Sequence, residues 1–86
     1  MKDFTKLKNL IEQELANDKI VVDSIVMEEE NKYLFLKIVL DKIGGLDLDT
    51  IVEATHKINP IVDNYDIKEE NYILDISSKE RKSSNE

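Results

Sequence analysis

The sequence predicts an α+β domain: a two-layer sandwich of order α-β-β-α-β, with two helices packed on one face of a three-stranded sheet. Three stretches carry that prediction. From Tyr33 to Asp41, Leu34, Leu36, Ile38 and Leu40 fall on one face at period two, while Phe35, Lys37, Val39 and Asp41 fall on the other. A wholly aliphatic face opposed to a mixed one is the pattern of a strand whose sheet is covered on one side. Gly44-Gly45 then permits a sharp reversal through positive φ, Asp47 offers a helix N-cap, and Asp49 sits in the first turn, where the dipole favours negative charge. Leu48, Ile51, Val52, Thr55, Ile58 and Val62 follow at helical spacing. In the third stretch, Asn71 to Ser77, alternation returns, with Tyr72, Leu74 and Ile76 on one face.

The other elements follow in chain order. Phe4, Leu7, Leu10, Ile11 and Leu15 mark a first helix from about Asp3, its expected N-cap, to Ala16, with Asn17-Asp18 as the stop. Lys6, Lys8, Glu12 and Glu14 form its solvated face, where Lys8 and Glu12 stand at i, i+4. Lys19 to Met27, rich in Ile and Val, reads as a strand. Its alternation does not select between Val21, Asp23, Ile25 and Met27 on one side and Ile20, Val22, Ser24 and Val26 on the other. Glu28 to Asn31 is expected as a polar hairpin loop. Pro60 removes the donor to the His56 carbonyl, so the second helix is expected to kink, or to restart in the same direction with Asn59 as a new cap. Asn64 to Glu70 reads as a polar connection. Residues 1–78 are thus expected to form the domain, and residues 79–86, which lack apolar side chains, a disordered charged tail.

Composition limits the chemistry. At 86 residues the chain is one small domain, near the size at which a single core just suffices. It has no cysteine, hence no disulfide framework and no thiolate metal site. The start lacks a signal-peptide core and no apolar run reaches membrane-spanning length, so a cytoplasmic protein is expected. Nineteen acidic residues against twelve basic ones give a net charge of −7. Such a surface repels phosphate backbones and attracts basic protein, which argues against direct nucleic-acid binding by this domain.

The candidate chemical sites fail on spacing. An EF-hand loop begun at Asp41 would need oxygen ligands where Ile43 and Gly45 stand, glycine at Leu46 and a glutamate at Val52. Gly44-Gly45 lacks the lysine and hydroxyl of a P-loop, the Rossmann glycine spacing and the Gly-x-x-Gly of a KH loop, and reads as a tight turn. His56 is the only histidine, and Thr55 beside it points elsewhere around the helix, so His56 reads as an ordinary helix residue. Tyr33, Phe35 and Tyr72 invite comparison with a base-stacking platform, but Tyr72 shares its face with Leu74 and Ile76 and few basic residues accompany the others, so packing is the reading. No catalytic, cofactor or metal constellation is predicted, and the protein is read as a non-enzyme.

From β-strand to tail the pieces match a known order. Lys37 precedes Leu40-Asp41; Gly44-Gly45 leads into Leu46-Asp47-Leu48-Asp49; Thr55-His56 and Val62-Asp63 punctuate the helix; Tyr72-Ile73-Leu74-Asp75-Ile76-Ser77-Ser78 closes the domain. Together they resemble the N-terminal domain of the ribosome maturation factor RimP family, over Met1 to Ser78. There are departures. Ile51 stands where the family has cysteine, and Lys79-Glu80 stands where it has Pro-Gly leading to a basic linker and an SH3-like barrel. The 86 residues hold no counterpart of that barrel, so the resemblance is to the N-terminal domain alone. The resemblance implies an assembly factor for the small (30S) ribosomal subunit, whose partner would be that particle or a basic ribosomal protein. The expected docking residues are Asp41, Gly44, Gly45, Asp47, Asp49, Asp75, Ser77 and Ser78, although capping and solubility account equally well for the aspartates. The alternative is a stand-alone acidic interaction module that kept the fold without ribosome binding. Oligomeric state is not legible.

Overall fold

A computed structural model describes residues 4–65 and 71–79. The elements are α1 (Thr5–Glu14), a short 3₁₀ turn (Ala16–Asp18), β1 (Val21–Glu30), β2 (Tyr33–Asp41), α2 (Leu48–Asn64) and β3 (Ile73–Ser78). The order is the predicted α-β-β-α-β. The sheet runs β1-β2-β3, with β1 antiparallel and β3 parallel to the central β2. The parallel step requires a crossover, and α2 supplies it.

Both helices cover the same side of the sheet. Leu7, Ile11 and Leu15 at i, i+4, i+8 from α1 and its end, and Ala54, Ile58 and Val62 at the same spacing from α2, are buried on Leu36, Ile38 and Leu40 of β2. The stripe of α2 differs from the expected one. Leu48 is 75% exposed and Val52 46% exposed, while Ala54 and the half-buried Ile61 take part in the packing. Val52 stands two residues from Ala54, about 200° around the helix, and so faces away from the core. In α1, Leu10 is likewise partly exposed.

The undecided alternation of β1 has a definite cause. Val22 pairs with Leu40 and Ser24 with Val39, so Asp23 is an extra residue, a β-bulge. A bulge shifts the two-residue period by one. Ile20 and Val22 therefore face the core before it, and Ile25 and Met27 after it. Neither set of alternating residues faces inward along the whole strand.

Two local expectations are corrected, and of the alternatives for the second helix the restart is removed. The hairpin loop is Asn31-Lys32, not Glu28 to Asn31; Glu28, Glu29 and Glu30 belong to β1 and pair with Phe35, Leu34 and Tyr33. Both turn residues have positive φ, 51° and 71°, the geometry of a tight hairpin turn whose hand matches sheet twist. Glu12, expected on a solvated face opposite Lys8, is half-buried and its Oε2 accepts from the Val22 amide at 2.8 Å. The second helix neither stops nor restarts: it continues through Asn59 and Pro60 to Asn64. His56 and Pro60 are both on the exposed side, where water can satisfy the carbonyl that Pro60 leaves without a donor. At the head of α1, Phe4 occupies the cap position with no side-chain cap, and the expected cap Asp3 lies outside the described residues. So do residues 66–70 of the polar connection and 80–86 of the expected tail.

Between α1 and β1 the chain turns at Lys19, in left-handed conformation at φ 61°. Asp18 in this turn pairs with Lys57 of α2 at 2.8 Å, tying the end of one helix to the flank of the other. The hydrogen bond that Lys57 donates to the Asp18 carboxylate raises its ammonium above the ordinary lysine range.

At the start of α2, Asp47 is extended (φ −96°, ψ 174°) and its Oδ1 accepts from the Thr50 amide at 2.8 Å, as an N-cap should. Hydrogen bonds from Thr50, through its hydroxyl and its amide, hold the Asp47 carboxyl below the ordinary aspartate range. A depressed folded-state value means stability that is present above the unfolded-state value and lost as pH falls through the folded one. Asp47→Ala should therefore lower the thermal midpoint at neutral pH, with the gap to wild type closing as the pH drops below the aspartate range. A gap that stayed constant into acid would show that the carboxylate charge contributes nothing to the cap. In the hairpin, Lys32→Gly should raise stability by about 1 kcal/mol, since a side chain in left-handed backbone costs that much. A denaturant midpoint that does not rise, at unchanged slope, would contradict the strain at φ 71°.

Candidate partner-docking surface

The loop joining β2 to α2 gathers most of the residues expected to dock a partner. Asp41 ends β2 half-buried, and its Oδ1 accepts from the Lys42 amide at 2.8 Å. The turn closes with the Gly45 amide donating to the Lys42 carbonyl at 2.8 Å. Gly44 and Gly45 have φ of 90° and 92°. A Cβ at either would meet nothing within 4 Å, so backbone conformation and not space calls for glycine there. Beyond the turn, Asp47 is committed to the helix cap, and Asp49 lies exposed in the first turn. A shallow depression of about 280 Å³ is lined by Lys42, Gly44, Gly45, Leu46, Asp47 and Thr50.

β3 runs parallel to β2, so its end arrives at the same end of the sheet. Ser77 is in register with Val39 and Ser78 with Leu40, next to Asp41, and the Lys79 amide donates to the Leu40 carbonyl at 2.6 Å. Asp41, Gly44, Gly45, Asp47, Asp49, Ser77 and Ser78 thus lie around one end of the sheet, a polar and mainly acidic rim. Asp75 lies apart. It is in register with Lys37 at the middle of β3, on the sheet face that the helices leave open.

That open face was only partly anticipated. Lys37 reaches Glu28 at 2.8 Å and Glu30 at 2.6 Å, with its ammonium 6.0 Å from the centre of the Phe35 ring. The hydrogen bond donated by Lys37 holds Glu28 below the ordinary glutamate range, and donating to Glu28 and then to Glu30 raises Lys37 above the ordinary lysine range. At 28% exposure for the lysine and about half for each glutamate, this cluster is a surface network. Tyr33 is 60% exposed, Phe35 is half-buried on the open face, and Tyr72 packs against the core, so the three aromatics form no platform.

Sequence reasoning missed Asp23 and Ile43. Asp23, released by the bulge, pairs with Lys79 at 3.2 Å and joins β1 to the end of β3 across β2. Ile43, at 96% exposure, projects from the turn beside the acidic rim. No periodic signal marks either residue, although an isoleucine just before two glycines is a cue to an exposed loop tip. A separate groove of about 810 Å³ between the helices, lined by Leu10, Ile61 and Tyr65 with Lys6 and Glu14 at its margin, shares no residue with the rim.

The described residues contain no group of three or more His, Cys, Asp or Glu side chains placed to hold a metal ion. His56 is exposed on α2. No helix among the described residues is long and apolar enough to cross a membrane. What the rim and the open face have to offer is charge, exposed apolar side chains and backbone. Compared with protein-family models, residues 6–79 match that of the RimP N-terminal domain. The match covers both helices and all three strands, and the chain belongs to the RimP family of ribosome maturation factors by its N-terminal domain.

Proposed function

We propose that this domain is a non-catalytic assembly module in maturation of the 30S ribosomal subunit, working in the cytoplasm. It docks on the pre-30S particle by holding a basic ribosomal protein. The observation that carries the reading is the family match, which spans nearly the whole described fold. The charge supports it: a chain of net charge −7 is repelled by exposed RNA and drawn to the basic proteins that a ribosomal particle presents. The surface we assign comprises Asp41, Asp47 and Asp49 around the Gly44-Gly45 turn, Ser77 and Ser78 at the end of β3, and Asp75 on the open face. The role of such a surface is to recognise and position a partner.

Sedimentation of the domain with purified small subunits tests this directly. Co-sedimentation is expected at low salt and should weaken as salt screens the charges. Asp49→Lys with Asp75→Lys, both on exposed side chains, should reduce the affinity about tenfold while leaving the fold intact. Absence of co-sedimentation at low salt would overturn the reading, and undiminished binding by the double variant would overturn the assigned surface.

A further inference from the structure

The sheet ends on two edges, β1 and β3, and they are built differently. The edge of β1 carries devices that discourage pairing with another chain. The bulge at Asp23 breaks its register, Glu12 occupies the Val22 amide at 2.8 Å, and Glu28, Glu29 and Glu30 crowd its far end. β3 has none of these. Its six residues run in unbroken register with β2, from Ile73 opposite Phe35 to Ser78 opposite Leu40, without proline, lysine or bulge.

The register also decides which peptide groups of β3 point outward. The Lys79 amide turns inward to the Leu40 carbonyl. Counting back by the two-residue period, Ser77 and Asp75 also turn their peptide groups toward β2. Leu74, Ile76 and Ser78 therefore present N–H and C=O to the open edge, and no further strand pairs with β3 among the described residues. This is a short ladder of donors and acceptors with regular spacing, as strand addition requires.

We propose that the free edge of β3 takes up an extended, basic segment of a partner protein as a fourth strand. The basic character follows from what flanks the edge. Asp75 is exposed on the open face and makes no ion pair among the described residues, because the neighbouring Lys37 is engaged by Glu28 and Glu30. A lysine or arginine on the incoming strand would face it as a cross-strand pair. A second copy of the chain is the poorer occupant, since it brings another net charge of −7 to the contact. The proposal rests on the reading of the partner as basic protein, and adds where and how that protein is held.

The test uses the 86-residue chain and three synthetic peptides with blocked ends. The first alternates lysine with valine and threonine, the second is the same peptide N-methylated at every second amide, and the third has glutamate in place of lysine. Titration should show binding of the first, with slowed amide exchange at Leu74, Ile76 and Ser78. The N-methylated peptide has the same charge but cannot complete the ladder, and should bind at least about tenfold more weakly. The glutamate peptide should not bind, and Asp75→Lys should weaken the first peptide several-fold. Equal binding of the first two peptides would mean simple electrostatic adsorption and would overturn strand addition. So would protection confined to β1, no binding of the first peptide, or concentration-dependent protection of β3 in the chain alone, which would make a second copy the occupant. Equal binding of the glutamate peptide would overturn the basic partner. No ribosomal particle enters the experiment, so its failure and a failure of co-sedimentation are separate results.

Discussion

Every element here depends on one constraint: a three-stranded sheet with only one face to bury. Leu36, Ile38 and Leu40 are fully buried at its centre, and both helices converge on them with Leu7, Ile11, Ala54 and Ile58. A domain this small has no second core to fall back on. The bulge in β1 and the cap on α2 can be understood as means of aiming apolar side chains at that single layer. The opposite face is left to Lys37, its two glutamates and a few half-buried apolar residues. That division leaves the described residues with surfaces suited to recognition.

Legibility varied with how far each element obeys a regular period. β2 obeys the two-residue rule without interruption, and its bounds and inward face were readable as they stand. The reversal at Gly44-Gly45 and the Asp47 cap were equally clear, because glycine and a capping aspartate have specific backbone reasons to be there. β1 was opaque for the opposite reason: one additional residue at Asp23 moves the apolar set from one parity to the other, which alternation cannot register. The hairpin was misplaced because Asn31-Lys32 lacks the glycine that usually marks such a turn, and three glutamates look more like a loop than a strand end. In α2, Leu48 and Val52 counted as core by hydrophobicity although geometry turns them outward, while small Ala54 at the centre of the stripe carried no signal.

The candidate surface was legible as a cluster along the chain and only partly as a cluster in space. Parallel pairing brings Ser77 and Ser78 to the turn after β2, an arrangement that depends on the crossover through α2 and that no local motif encodes. It sends Asp75 to the middle of the open face instead. Long-range ion pairs were hidden for the same reason. Asp23 with Lys79 and Asp18 with Lys57 join segments far apart in sequence, and only the assembled topology shows them as neighbours.

The two glycines between β2 and α2 have a consequence for how this turn can be altered. An L side chain's Cβ at either would meet no atom within 4 Å, so it is the left-handed backbone and not the lack of room that excludes it. A mirror-image residue such as D-alanine has its favoured backbone region where Gly44 and Gly45 already sit. A chemically synthesised domain carrying one should hold the reversal more firmly than the natural chain, because the unfolded polymer would surrender less freedom to make it.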